Sequence, residues 1–369
     1  STPVFQAALR RMRPSGQAAG YDGWLGALLL WAPFQVQERY RKLLHKAHER
    51  PEAAGSFPLA WPINVVTYVP KPGKSVTMIE KMRDIWNCPH GHKINTHCYR
   101  SEYNRVNRIV NYKSQRGFTA FADAGEAAMS AGLHGEAANT LCETIGRLFI
   151  DYAGFFMGVM RALLYFLEGE FGVEPGVTTG IKAIHDLMVG RADTAYGLSE
   201  AWEVSRGTGQ GCVLGPCRAT MQLIVTLIAI SRFGGAYCFD VPAGARPACI
   251  RQSWFADDVN MLANAAQGVQ LSADAAFIGA WLSGNVIGIA GPRDASKTGY
   301  QLETCRSDGT FMTDKQYVIR IPTGEVLPQV ESTYRLLGHD VGSDIGNPDS
   351  AEQVMHRATT TCIVLARLA

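Results

Sequence analysis

The feature that most constrains this chain is a pair of adjacent carboxylates, Asp257 and Asp258, set between two apolar, strand-favouring runs. The runs cover residues 254–256 and 259–262. Asp is rare inside strands and common in turns, so the pattern predicts a β-hairpin with the acid pair at its tip. A solvated turn is the plainest interpretation. The functional interpretation is a metal site, because hard divalent cations bind carboxylate oxygens and phosphoryl transfer uses paired cations.

A metal site of this kind needs a third carboxylate from the same sheet, and Asp151 is the candidate. It follows the apolar run 148–150 and precedes Gly154, which predicts a buried strand that turns soon after the acid. A carboxylate at that position costs stability unless it has a partner or a cation. If the two strands are neighbours, three carboxylates meet at one point, as in-line attack of a hydroxyl on a phosphoryl group requires.

The two acidic segments resemble polymerase motifs. Residues 255–258, Phe-Ala-Asp-Asp, resemble the acid box of reverse transcriptases from non-LTR retrotransposons, to which the group II intron enzymes are related. Residues 149–151, Phe-Ile-Asp, followed by Phe156, resemble the first palm motif of that family. The resemblance implies an α/β (α+β) fold, a right-hand polymerase whose antiparallel palm sheet is flanked by helices.

The resemblance extends over nearly the whole chain and implies its division. Residues 1–147 are expected to form the fingers with the start of the palm connections, residues 148–349 the palm, and residues 350–369 the start of a thumb. Too few residues follow for a complete thumb, so further domains or partner chains are expected to supply the rest.

Other motifs imply further site residues. The Gly-rich segment 207–216 resembles the family's nucleotide-contacting loop, in which glycines let the backbone approach a ligand closely. Residues 296–298, Ser-Lys-Thr, resemble a motif whose lysine protonates the leaving pyrophosphate. Residues 115–118, Gln-Arg-Gly-Phe, resemble a segment that touches the template. The resemblance implies catalytic roles for Asp151, Asp257, Asp258 and Lys297, nucleotide binding by Lys71, Arg83, Tyr152, Phe156, Gln210 and Gly211, and a primer grip at Leu337 and Gly338.

The function implied by the resemblance is RNA-directed DNA polymerisation. This nucleotidyltransferase extends a DNA primer 3′-end on an RNA template with dNTPs. Asp151, Asp257 and Asp258 would bind two Mg²⁺ ions, with Mn²⁺ as the alternative metal, and Phe156 would be the steric gate against a ribose 2′-hydroxyl. RNA-dependent RNA polymerisation is one rival. The other is a catalytically impaired, RT-like nucleic-acid-binding or structural protein without a thumb, which departures from the family pattern favour at Asp84, Phe155, Met157, Val213 and Gly215.

The charge of the chain is unevenly distributed. Residues 1–120 carry 18 Lys and Arg against 7 Asp and Glu, whereas the remainder carries 17 against 26. A basic half beside an acidic half suits a polymerase, because one surface holds phosphate backbones and the other holds cations. A charge asymmetry without a partner is the plainer interpretation.

Nine cysteines without regular spacing predict a reducing, intracellular compartment and no disulfide scaffold. Nucleus and organelle both stay open as locations, with the nucleus slightly favoured. No apolar run reaches the length of a membrane span, so no membrane association is expected. The cysteines and histidines between Cys88 and Cys98 leave two alternatives open, a zinc site or an ordinary helix of the fingers.

Two helices follow from apolar periodicity. Residues 34–50 predict an amphipathic helix with a basic face. Residues 272–282 predict a second helix, with Ser272 as its N-cap and with Ile278, Trp281 and Leu282 on one apolar face.

Overall fold

The computed structural model describes residues 2–12, 20–24, 26–49, 57–71, 82–110, 114–118, 132, 138, 141–238, 249–250, 252–289, 298–305, 311–330, 334–336 and 339–341. Its helices are α1 (Thr2–Arg10), α2 (Gly26–Trp31), α3 (Phe34–Glu49), α4 (His90–Val110), α5 (Arg161–Glu170), α6 (Pro175–His185), α7 (Gly215–Phe233) and α8 (Ala266–Leu282). Its strands are β1 (Ile63–Pro70), β2 (Met82–Asn87), β3 (Ile145–Ala153), β4 (Val189–Thr194), β5 (Gly197–Leu198), β6 (Trp202–Glu203), β7 (Tyr237–Cys238), β8 (Cys249–Ile250), β9 (Gln252–Phe255), β10 (Asp258–Ala263), β11 (Val286–Ile287), β12 (Gly299–Cys305), β13 (Phe311–Thr313), β14 (Tyr334–Leu336) and β15 (His339–Val341). Helices are mixed with antiparallel and mixed sheets, which confirms the prediction of an α/β chain.

The chain divides into two compact units that are both discontinuous. The first unit comprises Ser1–Asn111 and Gly154–Ile224, and the second comprises Tyr112–Ala153 and Val225–Ala369. The predicted subdomains, in contrast, are contiguous stretches, and their functional names stay predictions. The chain passes from one unit to the other three times: after Asn111, just after β3, and inside α7.

The second unit is built on an antiparallel sheet in the order β13-β12-β3-β10-β9, with β11 also paired to β3. Strand β3 is central, and it is buried from Ile145 to Ile150. A strand with neighbours on both sides and no exposed face favours such an apolar sequence. Asp151 is the first position of β3 that is only partly buried, so the apolar run ends where the candidate acid begins.

The helix predicted from Ser272 begins earlier than expected. Helix α8 starts at Ala266, and Ser272 lies inside it. The prediction that Ser272 caps the helix is therefore wrong. Its buried hydroxyl instead accepts a hydrogen bond from the Gly235 N–H, at 3.0 Å. A serine at a helix start cannot be distinguished by local sequence from a serine that serves a neighbouring loop.

The three large apolar residues predicted to share one face of α8 are exposed to solvent. Ile278, Trp281 and Leu282 are exposed, and the buried face consists mainly of Ala and Gly. The reason is close packing. A Cβ on Gly279 would lie 2.8 Å from the Thr226 Cα of α7, so only small residues fit between the two helices. Helix separation therefore decided which face is buried.

The first unit contains a mixed sheet in the order β2-β1-β4-β5, with β6 also paired to β4. Strands β1 and β4 are parallel, and the other pairs are antiparallel. Helix α3 confirms the predicted helix over residues 34–50, and α4 confirms the helical alternative for the Cys88–Cys98 region. A hydrophobic core joins the helices; its fully or largely buried members are Phe5, Ala8, Leu9, Met12, Leu29, Leu44, Trp61, Ile94 and Ile184.

A buried polar network ties four helices together, α4, α5, α6 and the first turns of α7. Arg218 Nε donates to Glu168 Oε1 at 2.7 Å, and the Tyr103 hydroxyl donates to the same oxygen at 2.6 Å. Arg218 Nη1 lies 3.0 Å from His185 Nδ1. An arginine can only donate, so Nδ1 accepts and the His185 ring is neutral. Burial, and then the charge of Arg218, lower the pKa of His185 to about 3.

The low pKa of His185 predicts that the protein loses stability as the pH is lowered. The unfolded histidine takes up a proton near its ordinary pKa of 6.5, whereas the folded one stays neutral to about 3. The unfolded state therefore binds more protons in that window, and stability is lost as the pH falls through it, by up to about 1.4 kcal/mol per pH unit. His185→Asn keeps an acceptor for Arg218 and cannot titrate. Urea unfolding at pH 7 and at about pH 5 should show a shallower pH dependence in this variant; equal dependence would contradict the assignment.

The structure joins Cys238 and Cys249 by a disulfide across the β7–β8 pair, with Cα atoms 4.0 Å apart. The cysteine pattern did not indicate this bond, because strand pairing, not sequence spacing, brings the two residues together. The intracellular location stays a prediction. None of the helices in the described part of the chain combines the length and apolar character that a membrane crossing requires.

Candidate active site

The acid pair lies at the tip of a hairpin, as predicted. Strand β9 ends at Phe255 and β10 begins at Asp258, and these two residues are paired. Ala256 and Asp257 form the two-residue turn between them. Asp257 therefore lies in the turn itself, and Asp258 is the first residue of the returning strand. Both are partly exposed, which leaves their carboxylates accessible to solvent.

The third acid lies on the neighbouring strand. Strands β3 and β10 are antiparallel, and their register places Asp151 directly opposite Asp258. The prediction that the two acidic segments are neighbours is confirmed. Opposed residues in such a pair have Cβ atoms about 4.5–5.5 Å apart, and like charges in that position are destabilising. The sheet thus holds two carboxylates against their repulsion, with a third on the adjoining residue.

Two hydrogen bonds fix the backbone at Asp151. Its N–H donates to the hydroxyl of the fully buried Thr298, at 3.0 Å, and its carbonyl accepts from the Gly288 N–H, at 2.9 Å. The Ser-Lys-Thr motif had drawn attention to Lys297, which lies outside the described residues. Thr298 therefore has a role that the motif did not indicate: it holds the strand position that carries the acid.

A buried amide lies close to the acids and was not predicted as part of the site. Asn260 is two residues beyond Asp258 and therefore on the same face of β10. It is fully buried, and among the described residues neither polar atom of its side chain has a hydrogen-bond partner. Leaving such a group unpaired costs about 1–3 kcal/mol, so packing alone does not explain it. An Asn within an apolar strand run was the signal for it in the sequence.

The carboxylates fit the kind of site that binds Mg²⁺. Among the described residues, no group of three or more His, Cys, Asp or Glu side chains is arranged to hold a metal ion. Mg²⁺ is usually held by one or two carboxylates, with water and substrate phosphates completing its shell, rather than by a cage of protein ligands. The opposed Asp151 and Asp258, with Asp257 adjoining, supply oxygen donors of that type.

Tyr152 does not share a face with the acids. Successive residues of a strand point to opposite sides of the sheet, so Tyr152 and Asp151 face apart. Tyr152 is 4% exposed, and its ring stacks on that of Trp254 with centroids 6.3 Å apart. Burial raises the pKa of its hydroxyl. This placement favours a packing role over the nucleotide contact that the resemblance implies.

The two predicted phosphate-binding cations lie on the β1–β2 hairpin of the first unit. Lys71 directly follows β1, Arg83 lies on β2 opposite Val69, and both cations are exposed. Asp84, a departure from the family pattern, faces away from Arg83 because neighbouring strand residues alternate. Its carboxylate accepts from Trp86 Nε1 at 2.8 Å. Asp84 therefore does not pair with Arg83 in this structure.

The predicted nucleotide loop packs against β2 and against the turn that contains Phe156. The Trp86 N–H donates to the Gln210 carbonyl at 2.7 Å, and a Cβ on Gly211 would lie 2.6 Å from the Trp86 carbonyl oxygen. The Thr208 N–H donates to the Phe156 carbonyl at 3.0 Å. Within the first unit, the fold thus brings Phe156, Gln210 and Gly211 into one region, although more than fifty residues separate the first from the others.

Two further predictions concern the primer grip and the cysteines and histidines of residues 88–98. Leu337 and Gly338 are outside the described residues, between the paired strands β14 and β15. His90 Nδ1 accepts a hydrogen bond from the Gly26 N–H at 2.6 Å, which occupies that nitrogen. No metal-binding group is found at the described Cys and His residues, so the zinc alternative has no support there.

Comparison with known proteins adds no relative, since neither the protein-family models nor the curated proteins match this chain.

Proposed function

We propose that this chain is a reverse transcriptase of the non-LTR retrotransposon and group II intron type, with fingers and palm. The observation that carries the proposal is the register of β3 and β10, which sets Asp151 opposite Asp258, the residue that directly follows Asp257 in the chain. The motifs that carry the resemblance are remote in sequence, and two of them meet on one sheet. Convergent carboxylates at a hairpin tip suit in-line transfer of a nucleotidyl group to a hydroxyl.

The chemistry follows from the charges that these residues hold. Asp151, Asp257 and Asp258 would hold two Mg²⁺ ions, which lower the pKa of the primer 3′-hydroxyl and neutralise the leaving pyrophosphate. The sheet keeps the carboxylates at fixed spacing, so little reorganisation is needed when substrate arrives. Thr298 and Gly288 hold Asp151 in place through its backbone N–H and carbonyl groups.

The roles of the remaining residues rest on the resemblance. Lys71 and Arg83 would bind phosphate oxygens, Lys as a mobile point charge and Arg as a two-pronged donor. Gln210 and Gly211 would contact the nucleotide, and Lys297 would protonate the pyrophosphate. RNA template and DNA primer would be bound mainly through their phosphates, so binding should weaken with added salt.

Primer extension tests the proposal directly. The protein is incubated with an RNA template, an annealed DNA primer, Mg²⁺ and either dNTPs or rNTPs. We expect extension with dNTPs that requires the RNA template. Extension with rNTPs alone would favour the RNA polymerase rival. Tight binding of template and primer without any extension would favour the impaired binding protein.

Replacing Phe156 tests the steric gate. The Phe156 side chain is partly buried, and its ring meets that of Phe155 edge to face with centroids 5.1 Å apart. Phe156→Ala should reduce the preference for dNTPs over rNTPs at least about tenfold, because a removed ring no longer excludes the 2′-hydroxyl. Phe166→Ala removes an exposed ring from α5 of the same unit and should leave the preference unchanged. An unchanged preference for dNTPs over rNTPs in both variants would show that Phe156 is not the steric gate.

A further inference from the structure

The turn that carries Asp257 has an unfavourable backbone conformation. Ala256, the first turn residue, has φ +56°. An L-residue in the left-handed region costs about 1–2 kcal/mol, and Gly is the usual residue at such a turn position. Ala256 is nevertheless 5% exposed and lies directly before Asp257. Something other than local preference must hold the tip in this form.

A single buried side chain satisfies both backbone groups of Ala256. Gln115 is 2% exposed. Its Oε1 accepts from the Ala256 N–H at 3.0 Å, and its Nε2 donates to the Ala256 carbonyl at 3.2 Å. The same Oε1 accepts from the Gly117 N–H at 2.8 Å. The amide therefore serves Ala256 as a neighbouring strand would, at a position where the hairpin has no strand.

The segment that carries Gln115 is itself fixed to the hairpin. The Trp254 N–H donates to the Ser114 carbonyl at 2.9 Å, and the Arg116 N–H donates to the Trp254 carbonyl at 2.8 Å. A Cβ on Gly117 would lie 2.0 Å from the Ala256 nitrogen, so only glycine allows this approach. Both neighbours of Gln115 are thus held against the hairpin, and these contacts fix the position of the Gln115 amide relative to Ala256.

We infer that Gln115 is a positioning residue for Asp257, and that it holds the peptide plane between Ala256 and Asp257 in the orientation that metal binding needs. This inference rests on the proposed function. The carbonyl that Gln115 Nε2 binds belongs to the peptide group that ends at the Asp257 nitrogen. Rotation of that group would move the first atoms of Asp257 and with them its carboxylate. The resemblance gives this segment a template contact, but the Gln115 side chain is buried at the tip.

Two variants remove the hydrogen bonds between Gln115 and Ala256, here called the clamp, to different degrees. Gln115→Met keeps the length of the side chain and removes both hydrogen-bonding groups. Gln115→Glu keeps the acceptor for the Ala256 and Gly117 N–H groups and loses the donor to the Ala256 carbonyl. The chain also offers a matched control. The side chain of Gln270 makes the same pair of hydrogen bonds to the backbone of Arg320 in the same unit, so Gln270→Met removes the same two contacts at a more exposed position away from the acids.

The effect is measured as Mn²⁺ affinity by electron paramagnetic resonance and as the turnover number for primer extension at saturating metal. Residues that orient metal ligands typically contribute about 10–100-fold to metal affinity or activity. We expect losses of that size in Gln115→Met and in Gln115→Glu, and none in Gln270→Met. Ala256→Gly removes the positive-φ cost, so Gln115→Met combined with Ala256→Gly should recover most of the loss.

The outcomes separate this inference from the proposed function. Equal Mn²⁺ affinity and turnover in Gln115→Met and Gln270→Met, in an active protein, would overturn the role of Gln115 and leave the polymerase proposal intact. A wild-type protein that fails to extend primers would overturn the polymerase proposal. In that case, faster amide hydrogen exchange at residues 256–257 in Gln115→Met would still identify Gln115 as the clamp of the tip, and unchanged exchange would reject it.

Discussion

Asp258→Asn is expected to lower primer extension at least about a thousandfold, since a metal ligand supplies several kcal/mol of transition-state stabilisation and each 1.4 kcal/mol is a factor of ten. The same change should leave the fold intact or stabilise it. Asp258 lies opposite Asp151, and removing one of two opposed like charges relieves about 0.2–1 kcal/mol of repulsion. Loss of activity with equal or higher stability is the signature of a residue kept for chemistry.

Steady-state extension rates and urea unfolding curves, measured on the same preparations, check this prediction. Glu325→Gln is the control, because it removes an exposed carboxylate from the same unit. It should change neither quantity. If Asp258→Asn kept more than a tenth of the wild-type rate, the opposed pair would not be the metal site. A large loss of stability would instead show that the contacts of Asp258 within the protein outweigh the relief of its repulsion with Asp151.

Glu303→Gln is expected to lower the free energy of unfolding by about 3–5 kcal/mol, because it leaves a buried guanidinium without its counter-charge. Arg147 on β3 and Glu303 on β12 are each 1% exposed and form an ion pair. Arg147 Nη1 also donates to Gln301 Oε1 at 3.1 Å, and Gln301 Nε2 donates to Glu303 Oε1 at 3.0 Å. The three groups thus hydrogen-bond one another in the centre of the sheet, while Arg147 Nε has no hydrogen-bond partner among the described residues.

Arg147→Met combined with Glu303→Met should be far less destabilised than Glu303→Gln, since replacing a buried pair by apolar groups is often near neutral. Asp186→Asn is the control. It breaks the ion pair with Lys182, in which both side chains are half exposed, and should cost less than about 1 kcal/mol. The free energy of unfolding of each variant, measured by urea titration, checks these expected costs. A cost for Glu303→Gln no larger than that of Asp186→Asn would show that water reaches Arg147.

Much of the local structure could be predicted from the sequence. The hairpin at residues 252–263 followed from two acids between apolar runs, and the helix over residues 34–50 followed from periodicity. These succeeded because turn preference and amphipathic spacing are local properties. Which face of α8 is buried did not follow from the same kind of pattern. There the close approach of Gly279 to Thr226 selected small residues for the buried side, and no periodicity of large apolar residues reports that distance.

The sequence by itself determined which residues carry the candidate chemistry: three carboxylates, two of them adjacent in a turn-forming segment. Only the tertiary structure decided that Asp151 and Asp258 are opposite each other, because strand register depends on pairing between segments remote in the chain. It also decided the supports of the site. Thr298 and Gln115 act through side-chain hydrogen bonds to backbone groups that are distant in the chain, and such contacts leave no pattern in a sequence.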